Sequence, residues 1–175
     1  MSTSAVILAA GEPRQMSHFQ PMLKLNGKSV IRRQIEVFRA AGIQDILIVT
    51  GFHAGMLERH LMGEAVQFVK NEDYATTDMM ASVQCALKAL PPECDRALIT
   101  PGDVPYLNAE TIQTLLKSSK PVAIPSFRGS AGHPAMIRKS CFSSLMNFTG
   151  ERGLRGALAQ WKRETEFVPT DENGM

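Results

Sequence analysis

The sequence of 175 residues predicts an α/β fold with a doubly wound, mostly parallel sheet. Short apolar runs rich in β-branched residues alternate along the chain with longer stretches of helical periodicity. Strands that are separated by helices in this order pair in parallel through crossover connections. A chain of this length can bury one substantial core, so we expect residues 1–175 to form a single domain.

Seven segments are predicted to be strands because each is short, apolar and bounded by turn residues. They are residues 5–9, 45–50, 66–69, 97–100, 122–125, 134–137 and 166–169. Six segments have helical periodicity, namely residues 28–41, 54–61, 78–90, 108–117, 139–146 and 152–163. Gly42 and Asn108 stand where a helix needs a left-handed closing residue and an N-terminal cap. The loop of residues 127–133 is predicted to be an active-site flap.

Composition excludes several classes of protein. Hydrophobic residues make up 44% and charged residues 21%, and the formal net charge is +2 without a block of Lys and Arg. We therefore expect no nucleic-acid partner. The apolar runs are too short to span a membrane, and no basic leader precedes them, so we expect a cytoplasmic protein with no membrane partner. Cys85, Cys94 and Cys141 lack metal-ligand spacing and are expected to be free thiols.

In doubly wound sheets, ligands bind beyond the carboxyl ends of the strands, so the loops after strands are the informative segments. The turn Ala9-Ala10-Gly11 follows the first strand. Its small residues allow backbone N–H groups to approach a phosphate, although a purely structural tight turn has the same composition.

A second informative loop follows the fourth strand, where Gly102 and Asp103 stand at the ligand-binding edge. A carboxylate in this place suits Mg²⁺, which takes oxygen ligands from protein and substrate phosphates. Both residue types are also common in ordinary turns, which is the alternative interpretation.

The motif LAAG at residues 8–11, followed by a Met-containing loop, PML at 21–23 and NGK at 26–28, resembles the nucleotidyltransferases of the molybdenum-cofactor type, the MobA/MocA-like family. That family's fingerprint is approximately LAAG-x-S-x-R-M-G-x-x-K-x-L. Gln15 and Gln20 stand here in the places of its phosphate-binding arginine and lysine. The resemblance implies that the nucleotide-binding residues include Leu8, Ala9, Ala10, Gly11, Gln15, Gln20, Ser82 and Gly102.

Two nearby cations are candidates to replace the missing charges. Arg14 lies one residue before the arginine position, and Lys24 lies four residues after the lysine position. A locally shifted loop would bring one or both to the phosphates as catalytic residues. The alternative is that both are solvated surface side chains.

Further segments extend the resemblance. The GD-x-P signature implies that Asp103 coordinates the catalytic metal, and a G-H-P segment typical of the cytidylyl-transferring subgroup places His133 on the substrate side. A stretch similar to G-D-x-G-x-R puts Glu151 in its acidic position. A structural role for His133, and a favourable interaction of Glu151 with the start of a helix, remain alternatives.

The resemblance implies Mg²⁺-dependent transfer of CMP from CTP to molybdopterin cofactor with release of pyrophosphate, and possible delivery of the product to a molybdoenzyme or its chaperone. GTP in place of CTP, and another phosphorylated acceptor, stay open. So does a degenerate relative that binds a nucleotide or cofactor without turnover. Family members continue into a D-x-D-T-P-E-D stretch that this sequence does not reach at Met175, so we expect a truncated chain or one without the second metal-binding carboxylate.

Overall fold

A computed structural model describes residues 1–13 and 19–170, and every structural statement below concerns those residues. The predicted α/β class is confirmed. The strands are β1 Ser2–Leu8, β2 Lys24–Leu25, β3 Lys28–Ser29, β4 Asp45–Thr50, β5 Gln67–Lys70, β6 Cys94–Pro101, β7 Val122–Phe127, β8 Ser130–Ala131, β9 Ala135–Arg138 and β10 Thr165–Pro169. The α-helices are α1 Val30–Ala40, α2 Ala54–His60, α3 Met79–Ala89, α4 Ala109–Leu116, α5 Phe142–Met146 and α6 Gly153–Leu158.

The main sheet has the strand order β10-β7-β9-β6-β1-β4-β5, with β8 paired to β7. Strand β1 pairs in parallel with β4 and β6, and β4 pairs in parallel with β5. Strand β9 runs antiparallel to both β6 and β7, with Ile99 opposite Ala135. The amino end of β9 therefore lies at the same edge of the sheet as the carboxyl ends of β1 and β6.

Strand β1 is buried on both faces, which explains its continuous apolar sequence. Val6 points into a core formed with α3, α5 and α6, whereas Ile7 points into a second core formed with α1, α2 and α4. Phe38 of α1 is fully buried in the second core. Burial of a side chain of this size stabilises the fold by about 1.5–3 kcal/mol. The central strand is thus held from both sides, and its carboxyl end has a fixed position.

Helix termini follow the capping residues in the sequence. Asn108 caps α4 as predicted, with its side chain accepting a hydrogen bond from Thr111 N at 2.9 Å. Asp78 caps α3 in the same way. Gly42 has a φ of +91°, the left-handed conformation that the sequence predicts after α1. Within the described ranges, no helix has the length and apolar character that crossing a membrane requires.

Three predicted segments differ in the structure. The predicted helix 152–163 is α6 followed by a 3₁₀ segment from Ala159, because the residues after Leu158 supply no buried side chain to hold a longer helix. In the predicted helix 139–146, a 3₁₀ turn precedes α5. The predicted flap 127–133 contains the β7–β8 hairpin, whose Arg128-Gly129 turn has φ values of 49° and 84°. Two successive positive φ values match the twist of a two-residue hairpin.

Candidate active site

The two loops that the sequence singled out lie side by side at the carboxyl edge. Gly102 N donates a hydrogen bond of 2.7 Å to Leu8 O, so the end of β6 is joined to the end of β1. A Cβ at Gly102 would lie 3.1 Å from Leu8 O, 3.2 Å from Ala9 Cβ and 3.3 Å from Pro21 Cγ. Glycine is needed here because the backbones approach so closely.

The turn after β1 offers backbone donors at its exposed end. Leu8, Ala9 and Ala10 are at most 7% exposed, whereas Gly11 is exposed. Ala9 N donates to Val49 O, and Ala10 O accepts from Phe52 N. Within the described part of the chain, the N–H groups of Ala10 and Gly11 form no hydrogen bond. A ligand at this turn therefore meets Gly11 first, and the N–H groups of Ala10 and Gly11 are the donors that the described chain leaves available.

Asp103 follows this junction, and its carboxylate is exposed. No hydrogen bond or ion pair to the carboxylate occurs among the described residues. No group of three or more His, Cys, Asp or Glu side chains that could bind a metal occurs there either. A single carboxylate fits Mg²⁺ in a site that substrate phosphates and water complete.

His133 precedes β9 and lies near Asp103. Burial lowers the pKa of His133, and the charge of Asp103 partly opposes that effect. Gly132 N donates to Pro125 O at 2.8 Å and fixes the segment that carries the imidazole. Since the pKa is below its usual value near 6.5, His133 is neutral at pH 7. A neutral imidazole beside a carboxylate is a hydrogen-bonding group for a substrate and also a metal ligand.

Asn71 organises the loop between β5 and α3. Its Nδ2 lies 3.2 Å from both Thr77 Oγ1 and Ser82 Oγ, and its Oδ1 accepts from Asp73 N at 3.1 Å. Ser82 is 4% exposed, and its hydroxyl is engaged with Asn71. The nucleotide contact of Ser82 stays a prediction.

An aromatic cluster of Phe19, Phe52, His53 and Tyr74 lies at the same edge and was not predicted. The ring centroids of Phe52 and His53 are 3.8 Å apart, and Phe19 meets both rings edge-on. A Cβ at Gly51 would lie 2.7 Å from Tyr74 Cβ and 2.8 Å from Ala10 O. The cluster thus packs against the turn after β1 through Gly51, and Phe19 is held by its contacts with Phe52 and His53.

Of the two predicted cations, only Lys24 lies within the described residues, and it forms no ion pair with Asp103 there. Lys24 is exposed on β2. Burial lowers the pKa of His60 most, the charge of Arg32 adds to this effect, and the charge of Lys24 makes a smaller contribution in the same direction. This places Lys24 in the neighbourhood of His60. Arg14 and Gln15 lie outside the described residues.

The remaining predicted residues lie in two turns. Gln20 begins a 3₁₀ turn and accepts a hydrogen bond from Leu23 N at 3.0 Å through its backbone oxygen. Glu151 is exposed in the turn before α6, and a Cβ at Gly156 would lie 1.9 Å from its carbonyl oxygen. Glu151 therefore has a defined backbone position, while its substrate contact stays a prediction.

The comparisons with known proteins agree with this arrangement. The family model of the MobA-like NTP transferase domain matches residues 5–165. The bifunctional protein GlmU of Syntrophomonas wolfei is 33% identical over 122 residues, which are 69% of this chain and 26% of that protein. GlmU of Francisella philomiragia is also 33% identical over 122 residues, covering 68% and 26%. The chain thus spans about a quarter of the length of these curated relatives.

Solved structures share the fold. A nucleotidyl transferase from Methanothermobacter has a TM-score of 0.84 at 23% identity, covering 98% of this chain and 88% of that one. Rv0371c of Mycobacterium tuberculosis in complex with manganese has a TM-score of 0.83 at 20% identity, covering 98% and 89%. The 4-diphosphocytidyl-2C-methyl-D-erythritol synthase of Anaerococcus prevotii has a TM-score of 0.80 at 14% identity, covering 99% and 89%. With the family model matching residues 5–165, the chain belongs to the MobA-like NTP transferase domain family, a family of nucleotidyltransferases.

Proposed function

We propose that the chain is a metal-dependent nucleotidyltransferase that transfers CMP from CTP to the terminal phosphate of molybdopterin cofactor and releases pyrophosphate. One observation carries the proposal: the turn after β1 and the loop of Asp103 are joined by the hydrogen bond from Gly102 N to Leu8 O. A phosphate-binding turn and a metal-binding carboxylate on two joined loops suit one NTP substrate. The manganese complex of Rv0371c supports the use of a divalent metal, with Mg²⁺ as the proposed ion.

In this proposal each residue has a defined task. The N–H groups of Ala10 and Gly11 bind the triphosphate, and Asp103 holds the metal ion. A metal ion held there by Asp103 would supply positive charge against the charge that builds up on the phosphates. The acceptor phosphate attacks the α-phosphorus in line, so a protein nucleophile is not required. His133 and Glu151 contact the acceptor side.

The missing signature cations motivate a second candidate. Loss of one positioned electrostatic group costs about 2.7–4 kcal/mol in the transition state of other enzymes. Gln15 and Gln20 replace two such groups, and Lys24 forms no ion pair with Asp103 among the described residues. This favours, as the alternative, a relative that binds nucleotide or cofactor without turnover. A nucleotidyltransferase with another phosphorylated acceptor has the same site and stays a variant of the first proposal.

Residues 1–175 are proposed to form one nucleotidyltransferase domain. The cytoplasmic location, delivery of a product to a molybdoenzyme or its chaperone, and the choice of CTP over GTP belong to the same proposal. The G-H-P segment at His133 is the feature that supports CTP.

Pyrophosphate release tests the proposal. The four NTPs are incubated in turn with Mg²⁺ or Mn²⁺, with and without molybdopterin cofactor. The expected result is release that needs CTP, metal and acceptor together, and that Asp103→Asn reduces at least about a hundredfold. Asp95→Asn is the matched control because Asp95 lies at the opposite end of β6. Tight CTP binding without release for any acceptor would support the non-catalytic alternative. Full activity in Asp103→Asn would refute the metal assignment.

A further inference from the structure

A buried amide holds the turn that carries Asp103. Gln34 lies on α1 with 1% of its surface exposed. Its Nε2 donates to Pro101 O and to Val104 O, each at 2.9 Å. These two carbonyl groups bracket Gly102 and Asp103. Both protons of one side-chain amide are therefore used by one turn of the backbone.

Few donors of the turn's own backbone are available for these two carbonyl groups. Pro101 and Pro105 have no N–H group, so two potential donors are absent at its ends. Gly102 N is used in the bond to Leu8 O. Pro101 O has a second donor in Thr100 Oγ1 at 3.2 Å, whereas the described chain offers Val104 O only Gln34. The side chain from α1 thus joins the two ends of the turn with hydrogen bonds from outside the loop.

The other atom of the amide shows that the arrangement has a cost. Gln34 Oε1 is buried and has no hydrogen-bond partner among the described residues. A flipped amide would direct Oε1 at two carbonyl oxygens, so the observed orientation is the favourable one. A buried acceptor without a partner destabilises a fold, and an apolar side chain would avoid the penalty. Glutamine offsets this penalty through Nε2, which holds Pro101 O and Val104 O in place.

From this geometry we infer that Gln34 is a positioning residue that fixes Asp103 for metal binding, an inference that rests on the proposed function. The carboxylate of Asp103 has no hydrogen bond of its own in the described chain, so its position depends on the turn. Ile31, Ile35 and Phe38 anchor α1 in the core with at most 1% exposure. Gln34 therefore links the metal-binding turn to a rigid helix without touching the substrate.

Gln34→Met tests the inference because methionine is unbranched and of similar length but has no N–H donor. Ile35→Val is the control, since Ile35 is the next residue on α1, is equally buried and has a side chain that cannot form a hydrogen bond. Two quantities are measured in each variant: amide hydrogen exchange at residues 102–104, and Mn²⁺ affinity in the presence of CTP, from the electron paramagnetic resonance signal of free Mn²⁺. Unfolding curves are recorded to check that both variants are folded.

For Gln34→Met we expect exchange at residues 102–104 to be at least about tenfold faster and Mn²⁺ affinity to fall about 10–100-fold, the usual effect of losing a group that orients a metal ligand. Ile35→Val should leave both unchanged. Unchanged affinity in Gln34→Met would overturn the positioning role, whatever the exchange rates. If Mn²⁺ affinity in the native protein equals that in Asp103→Asn, the proposed function fails and the metal-positioning role with it. The exchange rates would then still report separately whether Gln34 holds the turn.

Discussion

Adding one methyl group at Gly102 should destabilise the fold. The new Cβ of Gly102→Ala would lie 3.1–3.3 Å from three atoms, of which Leu8 O is backbone and Ala9 Cβ cannot rotate away. The φ of Gly102 is outside the left-handed region, so crowding is the only cause of strain. Crowding of a packed site costs about 1–3 kcal/mol. If β1 and β6 moved apart to relieve this crowding, the 2.7 Å hydrogen bond from Gly102 N to Leu8 O would also weaken.

Gly11→Ala is the matched substitution with the opposite expectation. A Cβ at Gly11 would have no atom of the described residues within 4 Å, and its φ is also outside the left-handed region. The free energy of unfolding should stay the same or rise by about 0.4–1 kcal/mol, because alanine restricts the unfolded chain. In the proposed function this methyl group obstructs the approach of phosphate, so CTP affinity should fall although stability does not.

Urea denaturation followed by circular dichroism measures both variants, and isothermal titration measures CTP binding. For a domain of this size, 1 kcal/mol corresponds to about 2–4 °C in Tm, so the smallest expected effect at Gly102 is measurable. A Gly102→Ala protein as stable as the native one would refute the argument from close packing. An equal loss of stability in Gly11→Ala would show that the turn after β1 is not open.

Three other predictions concern polar groups that are buried or partly buried. Asn71→Leu should lower the free energy of unfolding by about 1–3 kcal/mol, because it leaves the hydroxyl of Ser82 and other partners without their bonds, and urea denaturation checks this. Ser29→Ala should cost about 1 kcal/mol through loss of the cap of α1, and a Tm equal to the native value would contradict the capping role. Burial lowers the pKa of both His60 and His133, so the unfolded chain binds more protons near pH 6. Stability should therefore be complete above about pH 6.5 and decrease as the pH falls through the lowered values, and His60→Gln should weaken this dependence in a pH series of Tm.

Local patterns predicted the parts of the fold that depend on local chemistry. The apolar runs of β1, β4 and β6 and the cap at Asn108 follow from side-chain burial and from one hydrogen bond within a helical turn. The reversal of β9 could not be predicted, because a short apolar run has the same sequence in either direction.

For the candidate site, the sequence likewise indicated the loops that follow strands but not the contacts between distant parts of the chain. The loops of Gly11 and Asp103 were identified because they follow strands. Gln34 was missed since it looks like one more polar residue on an amphipathic helix, and its two partners are 67 and 70 residues away in the chain. The rings of Phe52 and Tyr74 meet only after β4 and β5 have paired, so no local pattern links them.

Because β9 runs antiparallel to β6, the segment that precedes β9 meets the loop that follows β6 at the candidate site. Residues 127–133 lead from β7 to β9 and include His133, which lies near Asp103, whereas Asp103 itself follows β6. An exchange of this seven-residue segment between relatives leaves the junction of β1 and β6 untouched. In the proposed function, this segment would then set what the domain accepts while Asp103 keeps how it reacts, because the two lie after different strands.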